Sequence, residues 1–388
     1  MKEETKNQSI RTLPHAGRVV IVGGSLAGLC TGLVLLCEGY DVQIFEKSSS
    51  VLQDRGAGLV VQPEVEQILE QYGATRIATL STHISWRRYL TRNGGILRED
   101  RAFQRFVSWN SVYRQLRHAF PDERYHIGQT LTNFTQTESE VVVRFLNGQE
   151  VASDLLVFAD GTNSTGRHLL FPQVTAHYAG YVAWRGVVPE HCLSPESTRV
   201  FADTFAFYQM PSSHILGYLI PGQNGELTPG TRRLNWVWYV NIPSDALEEV
   251  MTDRDGITRT FSVPPGAVRE AQLRIMCEQA RQLLPRAFAD LITATTEPFI
   301  QPIYDIAAPR MVVGKALLLG DAASVPRPHT AASTAKAAAD AIALGKWLRS
   351  RPDDIPLALA QWEQHQRASG EYLQQLGQAL GNRSQFSE

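Results

Sequence analysis

The chain has only four cysteines in 388 residues, and none lie in C-x-x-C spacing. Cys30 and Cys37 fall on a helix expected to be buried, so they read as core thiols in a reducing, cytoplasmic setting. No window approaches the roughly 18 consecutive apolar residues of a membrane span. The polar N-terminus lacks the apolar segment of a signal peptide. A formal charge of −2 gives no reason to expect nucleic acid or a stable membrane association. No His/Cys/Asp/Glu cluster has metal-ligand spacing, so no metal is expected, and no serine nucleophile elbow occurs. Internal repeats and low-complexity tracts are also missing. Hydrophobic residues make up 43% and charged residues 20%. These proportions fit a soluble α/β protein with two closely packed domains.

What the chain does have is glycine in the right places. Arg18 to Lys47 reads strand, glycine turn, helix, strand, with the turn Gly23-Gly24-Ser25-Leu26-Ala27-Gly28 and an acid, Glu46, after the second strand. This is a βαβ start with a dinucleotide-binding turn. Gly23 permits the tight turn, and Gly28 lets the helix pack close. The helix-start N–H groups would face a pyrophosphate, and Glu46 a ribose. The middle glycine of the G-x-G-x-x-G pattern is Ser25, whose hydroxyl could itself donate to a phosphate. Lys47 adjoins the acid, and Arg55 lies in a glycine-flanked loop that brings a positive charge near the nucleotide.

Further along, residues 84–99 read as a hairpin around Asn93-Gly94, and Val107 onward as a helix. A second hairpin turns at Asn147-Gly148, with Leu155 to Ala159 as its return strand. From about His177 to Ile242 long alternating strands rich in aromatics suggest an antiparallel sheet. In Leu234 to Val240 the even positions form one apolar face. Residues 243–293 read mainly as helix. Strand character returns at Ala316, an alanine-rich helix spans Thr334 to about Leu348, and an amphipathic helix from Pro356 to Leu380 covers the first domain.

Two buried strands end in Asp160-Gly161-Thr162-Asn163-Ser164-Thr165-Gly166-Arg167 and in Gly320-Asp321-Ala322-Ala323. With these motifs in this order after the nucleotide turn, the chain resembles the single-component flavoprotein aromatic hydroxylases, the para-hydroxybenzoate hydroxylase superfamily. Gly180 to Gly186, Arg232 to Tyr239 and Arg327-Pro328-His329 look like its 2,6-dihydroxypyridine 3-hydroxylase branch. The resemblance covers nearly the whole chain. It implies a Rossmann-type FAD-binding domain (18–80, 101–175 and 296–350), an antiparallel-sheet substrate domain (81–100 and 176–295), a C-terminal helix (351–388) and a loose tail (1–17).

The resemblance also implies non-covalent FAD, with NAD(P)H as a transient reductant. A C4a-hydroperoxyflavin formed from O₂ would hydroxylate an electron-rich phenol or hydroxypyridine. Gly23, Ser25 and Gly28 would hold the pyrophosphate, and Glu46 the adenosine ribose. Asp160 with Gly161 would lie near the pyrophosphate and the nicotinamide cofactor. Asp321 with Gly320 would contact ribitol, and Pro328 would sit beside the reactive flavin edge. Thr330, Ala331, Ala332 and Ser333 form the loop that brings N–H groups to the flavin pyrimidine; Thr330 and Ser333 stand where the family has glycines, and Trp109 where many members have arginine. Candidates for a pocket base or proton relay are His329, His214, Tyr218 and Tyr208. Arg185 either steers an anionic substrate or forms an internal salt bridge. A homodimer is an open option. The alternatives are an oxidase, epoxidase or reductase on the same fold, or a flavin-binding protein with little turnover.

Overall fold

A computed structural model of the chain describes residues 17–50, 52 and 58–386. The tail expected over 1–17, except Gly17, and Arg55 lie outside the described residues. The first strand, β1 (Arg18–Val22), is followed by α1 (Leu26–Cys37), β2 (Asp41–Phe45), β3 (Gly58–Val60) and α2 (Pro63–Gln71). Next come β4 (Thr82–Leu90), β5 (Ile96–Ser108), α3 (Trp109–Ala119), β6 (Tyr125–His126), β7 (Leu131–Gln136), β8 (Val141–Phe145), β9 (Glu150–Ser153), β10 (Leu155–Phe158) and α4 (Thr165–Leu170). The middle of the chain holds β11 (His177–Pro189), α5 (Pro195–Phe201), β12 (Thr204–Met210), β13 (Ser213–Ile220) and β14 (Arg233–Asn241). The rest is α6 (Leu247–Met251), α7 (Glu270–Leu283), α8 (Arg286–Thr293), β15 (Phe299–Ala307), β16 (Val312–Val313), β17 (Ala316–Leu318), β18 (Ser324–Val325), α9 (Ser333–Ser350) and α10 (Ile355–Phe386).

These strands form a six-stranded sheet in the order β16-β17-β10-β1-β2-β6, a nine-stranded sheet in the order β18-β15-β11-β14-β13-β12-β4-β5-β3, and a small β7-β8-β9 sheet. In the first, β17, β10, β1 and β2 run parallel. Their continuous apolar runs suit strands buried on both faces. Helix α1 lies close because it presents glycine: a Cβ on Gly32 would come 2.7 Å from Phe120 and 2.9 Å from Ile44.

The nine-stranded sheet sorts its residues by period-2 alternation. Val182, Trp184, Trp236 and Trp238 face α7 and α8, in one core with Met276, Phe288 and Leu291. Tyr181, Ala183, Val237 and Tyr239 pack on the opposite face. The even positions of β14 therefore build core, and the odd positions face the cavity described below. Trp86 joins this sheet through β4, which pairs with β12.

Several expectations need correction. The return strand of the second hairpin is β9, whereas Leu155–Phe158 is a separate element in the parallel sheet. The first hairpin runs on to Ser108, where the Ser108 hydroxyl accepts from the Ser111 N–H and starts α3. Strand β15 stays in the nine-stranded sheet, so that sheet takes more of the chain than 81–100 and 176–295. Helix α10 does not stop over the first domain; its far end reaches the second sheet, where Asn241 Nδ2 donates to the Gln385 carbonyl. Cys37, at the end of α1, is exposed, whereas Cys30 is buried. No helix among the described residues is long and apolar enough to cross a membrane.

Candidate active site

Because β1, β10 and β17 lie side by side and parallel, their C-terminal ends deliver Gly23, Asp160-Gly161 and Gly320-Asp321 to one sheet edge. Such an edge is where α/β sheets bind ligands. Gly23 has φ +105°, and a Cβ there would stand 2.4 Å from the Ala159 carbonyl oxygen. A Cβ on Gly28 would stand 1.9 Å from the Gly23 oxygen, and one on Gly24 would strike the Tyr125 hydroxyl at 2.2 Å. Ser25 is the N-cap of α1, and its hydroxyl makes no capping bond. The first-turn N–H groups of Leu26, Ala27 and Gly28 have no acceptor within the helix. No acid sits in that turn, so its positive end is left for an anion. Leu26 is buried in the core and contributes only its backbone. Glu46 lies beside the turn, accepting from the Gly24 N–H at 2.8 Å and the Ser48 N–H at 2.9 Å. Each carboxylate oxygen keeps a lone pair. Lys47 is exposed.

The second motif is largely occupied with itself. Asp160 accepts from the Ser164 hydroxyl at 2.5 Å and the Gly166 N–H at 3.1 Å, and Ser164 caps α4. Burial raises its pKa against those bonds. Buried Arg167 donates to the carbonyls of Asp321 (3.2 Å), Ala322 (3.0 Å) and Thr162 (2.5 Å). It therefore ties the second motif to the third. Asp321, also raised by burial, accepts from the Ser333 hydroxyl at 2.6 Å. Serine thus bonds to the neighbouring motif at a position where the resemblance implies glycine.

Beneath Gly320 lies a buried ion pair that sequence reasoning missed. Lys336 Nζ is 2.9 Å from Asp340 Oδ2 and 3.0 Å from the Gly320 carbonyl, and Asp340 accepts the Gly320 N–H at 3.0 Å. Gln366 and the Trp362 indole of α10 satisfy the rest of Asp340. The signal was present as two opposite charges four residues apart on an alanine-rich helix. The loop beyond is held by Arg327, which forks onto Asp305 at 2.9 and 2.6 Å and donates to Asn382 at 2.9 Å. Ala331 takes the left-handed conformation, φ +52°, and its carbonyl accepts from Gln62. Thr330 Oγ1 bonds back to the Arg327 carbonyl, and α9 starts at Ser333, after Ala332.

Between this loop and the odd-position face of the nine-stranded sheet lies a cavity of about 500 Å³, lined by Arg185, Tyr218, Tyr239, Trp109, Asp321 and Pro328 among others. Of the four expected bases only Tyr218 lines it. Burial raises the pKa of Tyr218, so the phenol stays protonated. Tyr208 lines a different cavity on the helix-facing side, near Trp238, because its strand neighbour Phe207 takes the inner face. His214 and His329 stand behind Tyr239, whose ring stacks on theirs at 4.7 and 4.4 Å. His329 Nε2 meets the Tyr181 hydroxyl at 2.9 Å, and His214 Nδ1 meets Gln385. Burial lowers the pKa of His214 to about 4 and that of His329 to about 3, leaving both rings neutral. Tyr239, pushed up to about 12 by burial, was not anticipated; it falls on the less apolar face of its strand.

The site fits a flavin dinucleotide. Gly23, Gly24 and Gly28 let the turn close tightly on Ala159, Tyr125 and its own backbone, the first turn of α1 carries no acid, Glu46 and Asp321 provide carboxylates, and the cavity adjoins the nucleotide edge. A family model described as FAD binding domain-like matches residues 178–305. The 2,6-dihydroxypyridine 3-monooxygenase of Paenarthrobacter nicotinovorans is 34% identical, over 92% of this chain and 89% of its own. The 6-hydroxynicotinate 3-monooxygenase of Pseudomonas fluorescens is 26% identical, over 92% of this chain and 90% of its own. The solved 2,6-dihydroxypyridine-3-hydroxylase from Arthrobacter nicotinovorans superposes with a TM-score of 0.91 at 34% identity, covering 96% of this chain and 94% of that one. The chain belongs to the FAD-dependent monooxygenases that hydroxylate aromatic and heteroaromatic rings.

Proposed function

We propose that this enzyme hydroxylates a small hydroxylated N-heteroaromatic ring of the hydroxypyridine type. The reaction consumes NAD(P)H, a proton and O₂, places one oxygen atom on the ring and releases the other as water. The observation that carries this reading is the aromatic-walled cavity, about 500 Å³, that opens against the Asp321–Ser333 loop. Its size suits one small planar ring beside a flavin edge. The hydroxypyridine type follows the substrates named for the two relatives.

FAD, when bound, supplies the hydride acceptance and O₂ activation. The chain's own residues supply binding, orientation and water exclusion. The α1 turn with Gly23, Ser25 and Gly28 holds the pyrophosphate, and Glu46 the adenosine ribose. Asp321 holds the ribitol, and Asp160, through Ser164 and Gly166, shapes the edge between them. The N-terminus of α9 offers N–H groups to the flavin pyrimidine and favours negative charge there. Trp109, Tyr218, Tyr239 and Pro328 exclude water around the ring. Tyr218 orients the ring hydroxyl as a neutral phenol. His214 and His329 act as a wall behind Tyr239, since ring stacking and not a hydrogen bond joins them to it. We place the enzyme in the cytoplasm, where NAD(P)H is supplied and the unpaired cysteines stay reduced.

The test is a panel of hydroxypyridines and phenols, measured for stimulated NAD(P)H oxidation with mass detection of product. A hydroxypyridine gaining one oxygen atom in step with NAD(P)H use supports the reading. NAD(P)H oxidation that yields only peroxide, or bound FAD that no donor reduces, sinks it.

A further inference from the structure

The last turns of α10 close on the loop that carries Pro328 to the cavity. Arg327, just before it, is buried; it forks onto Asp305 of β15 at 2.9 and 2.6 Å, and its remaining nitrogen donates to Asn382 Oδ1 at 2.9 Å. Beside this fork lies Tyr181, whose ring centre is 5.7 Å from the guanidinium and whose hydroxyl is 2.9 Å from His329 Nε2. The helix comes this close because it presents glycine. A Cβ on Gly377 would stand 3.1 Å from the Arg327 backbone nitrogen, and one on Gly381 would stand 2.5 Å from the Tyr181 hydroxyl and 3.0 Å from the Arg327 guanidinium. The helix end is itself anchored to the nine-stranded sheet. Carbonyls of the last turn, which lack partners within a helix, accept from Gln209 at 3.5 Å and from Asn241 at 2.9 Å. Gln385, fully buried, meets His214 Nδ1 at 3.3 Å. Arg327 and Pro328 line the cavity, whereas Gly381, Asn382 and Gln385 do not.

We infer that Asn382 and Gly381 are positioning residues for the reaction: from outside the cavity they set the Arg327 fork and the Tyr181–His329 pair, and through these the place of Pro328 against the ring. The inference rests on the cavity being the ring site. Two holds from different elements fix the loop, Asp305 from the sheet and Asn382 from the helix, so the guanidinium cannot turn about either one alone. Losing Asn382 leaves one donor of a buried permanent cation unpaired, and the side chain moves to find another acceptor. Pro328 follows, because it is the next residue and has no backbone N–H to hold it in place. A shift on the order of 1 Å in a wall that orients the ring is enough to separate oxygen activation from oxygen transfer. The two electrons of NAD(P)H and two protons then leave with O₂ as hydrogen peroxide, and no oxygen reaches the ring.

The test has one arm without turnover. FAD-loaded enzyme is titrated with 2-hydroxypyridine, 3-hydroxypyridine and phenol, and the change in flavin absorbance is read for its midpoint and its amplitude. The midpoint reports affinity for the cavity, and the amplitude reports how the ring lies against the flavin. Asn382→Leu is expected to change the amplitude by about twofold or more, with the midpoint within about threefold and FAD content as in wild type. In turnover, peroxide formed per NAD(P)H oxidised is expected to rise at least about threefold, with KM within about twofold. Asn382→Asp, which keeps the acceptor, is expected to restore both readouts. Gly381→Ala, whose methyl displaces the Tyr181 hydroxyl, is expected to show the same signature more strongly. Loss of FAD or of thermal midpoint with amplitude and peroxide yield unchanged would mark a purely structural role and overturn the inference. So would equal changes in Asn382→Asp, or wild type whose flavin absorbance answers none of the probes. Failure of the proposed hydroxylation would show separately, as wild-type enzyme whose absorbance responds to the probes and that yields no hydroxylated product.

Discussion

The parallel-sheet edge and the cavity wall of the nine-stranded sheet work by different physics. At the edge, backbone carries the proposed function: the critical positions are those where no side chain fits, and helix ends aim N–H groups outward. On the wall, side chains carry it, and their direction depends on which face of β11, β13 and β14 each one takes. The edge should therefore fail abruptly when a Cβ is added. The wall should respond gradually, and differently on its two faces.

The sharpest break falls on the edge. Gly28→Val sets atoms within 1.9 Å of the Gly23 carbonyl, which cannot move without opening the turn. The expected product is colourless protein, seen as loss of flavin absorbance per mole of purified chain. Next is the support beneath Gly320. Lys336→Met leaves Asp340 charged and unpaired in a buried site, at a cost of about 3–5 kcal/mol in denaturant unfolding. The double variant Lys336→Met, Asp340→Leu should recover part of that loss, because no charge is then stranded. No recovery would mean that the Gly320 bonds, and not the charges, dominate.

The wall has its own pH response. His214 and His329 carry folded pKa values of about 4 and about 3 against an ordinary 6.5. Both are therefore neutral when folded, and the unfolded chain binds protons first as pH falls. Stability is full above about pH 6.5 and declines as pH drops toward the folded values, by on the order of 2–4 kcal/mol at pH 5. Unfolding of wild type and His214→Phe across pH 7.5 to 5 checks this, and a flatter profile is expected for the variant.

The two faces of the sheet are separated by a smaller pair of changes. Trp236→Phe, on the helix-facing side, loses the bond from its indole to Thr295 and some packing, about 2 kcal/mol of stability, with the substrate KM unchanged. Tyr218→Phe, on the cavity side, is expected to lower kcat/KM about tenfold at nearly wild-type stability. The reverse pattern would exchange the roles of the two faces. The smallest effect is at Ala331, where Ala331→Gly relieves the left-handed backbone at φ +52° and stabilises by about 0.5–1 kcal/mol. A loss of stability there would show that the glycine's unfolded-state entropy wins.

Legibility in the sequence follows the same division. Gly23, Gly28, Glu46, Asp160 and Asp321 were readable because their spacing from strand ends is local, and the sheet edge is where those strands end. Arg167 stood inside a motif, yet two of its three partners lie 154 and 155 residues away and could not be read from spacing. Tyr208 and Tyr218 looked equivalent as aromatic strand residues, and only the register of β12 against β13 puts them on opposite faces. The histidines look like bases in sequence, but burial against Tyr239 and α10 makes them neutral wall.

The sequence by itself determined the nucleotide turn, the order of the three motifs and the alternation of the strands, because each rests on backbone constraints within a few residues. Tertiary structure alone decided which face of the nine-stranded sheet became cavity. It also decided that Lys336 and Asp340 lie beneath Gly320, and that the end of α10 closes on the Arg327 loop. Those outcomes depend on which distant elements pack together, and the pairing of burial with charge that they set is what gives the site its chemistry.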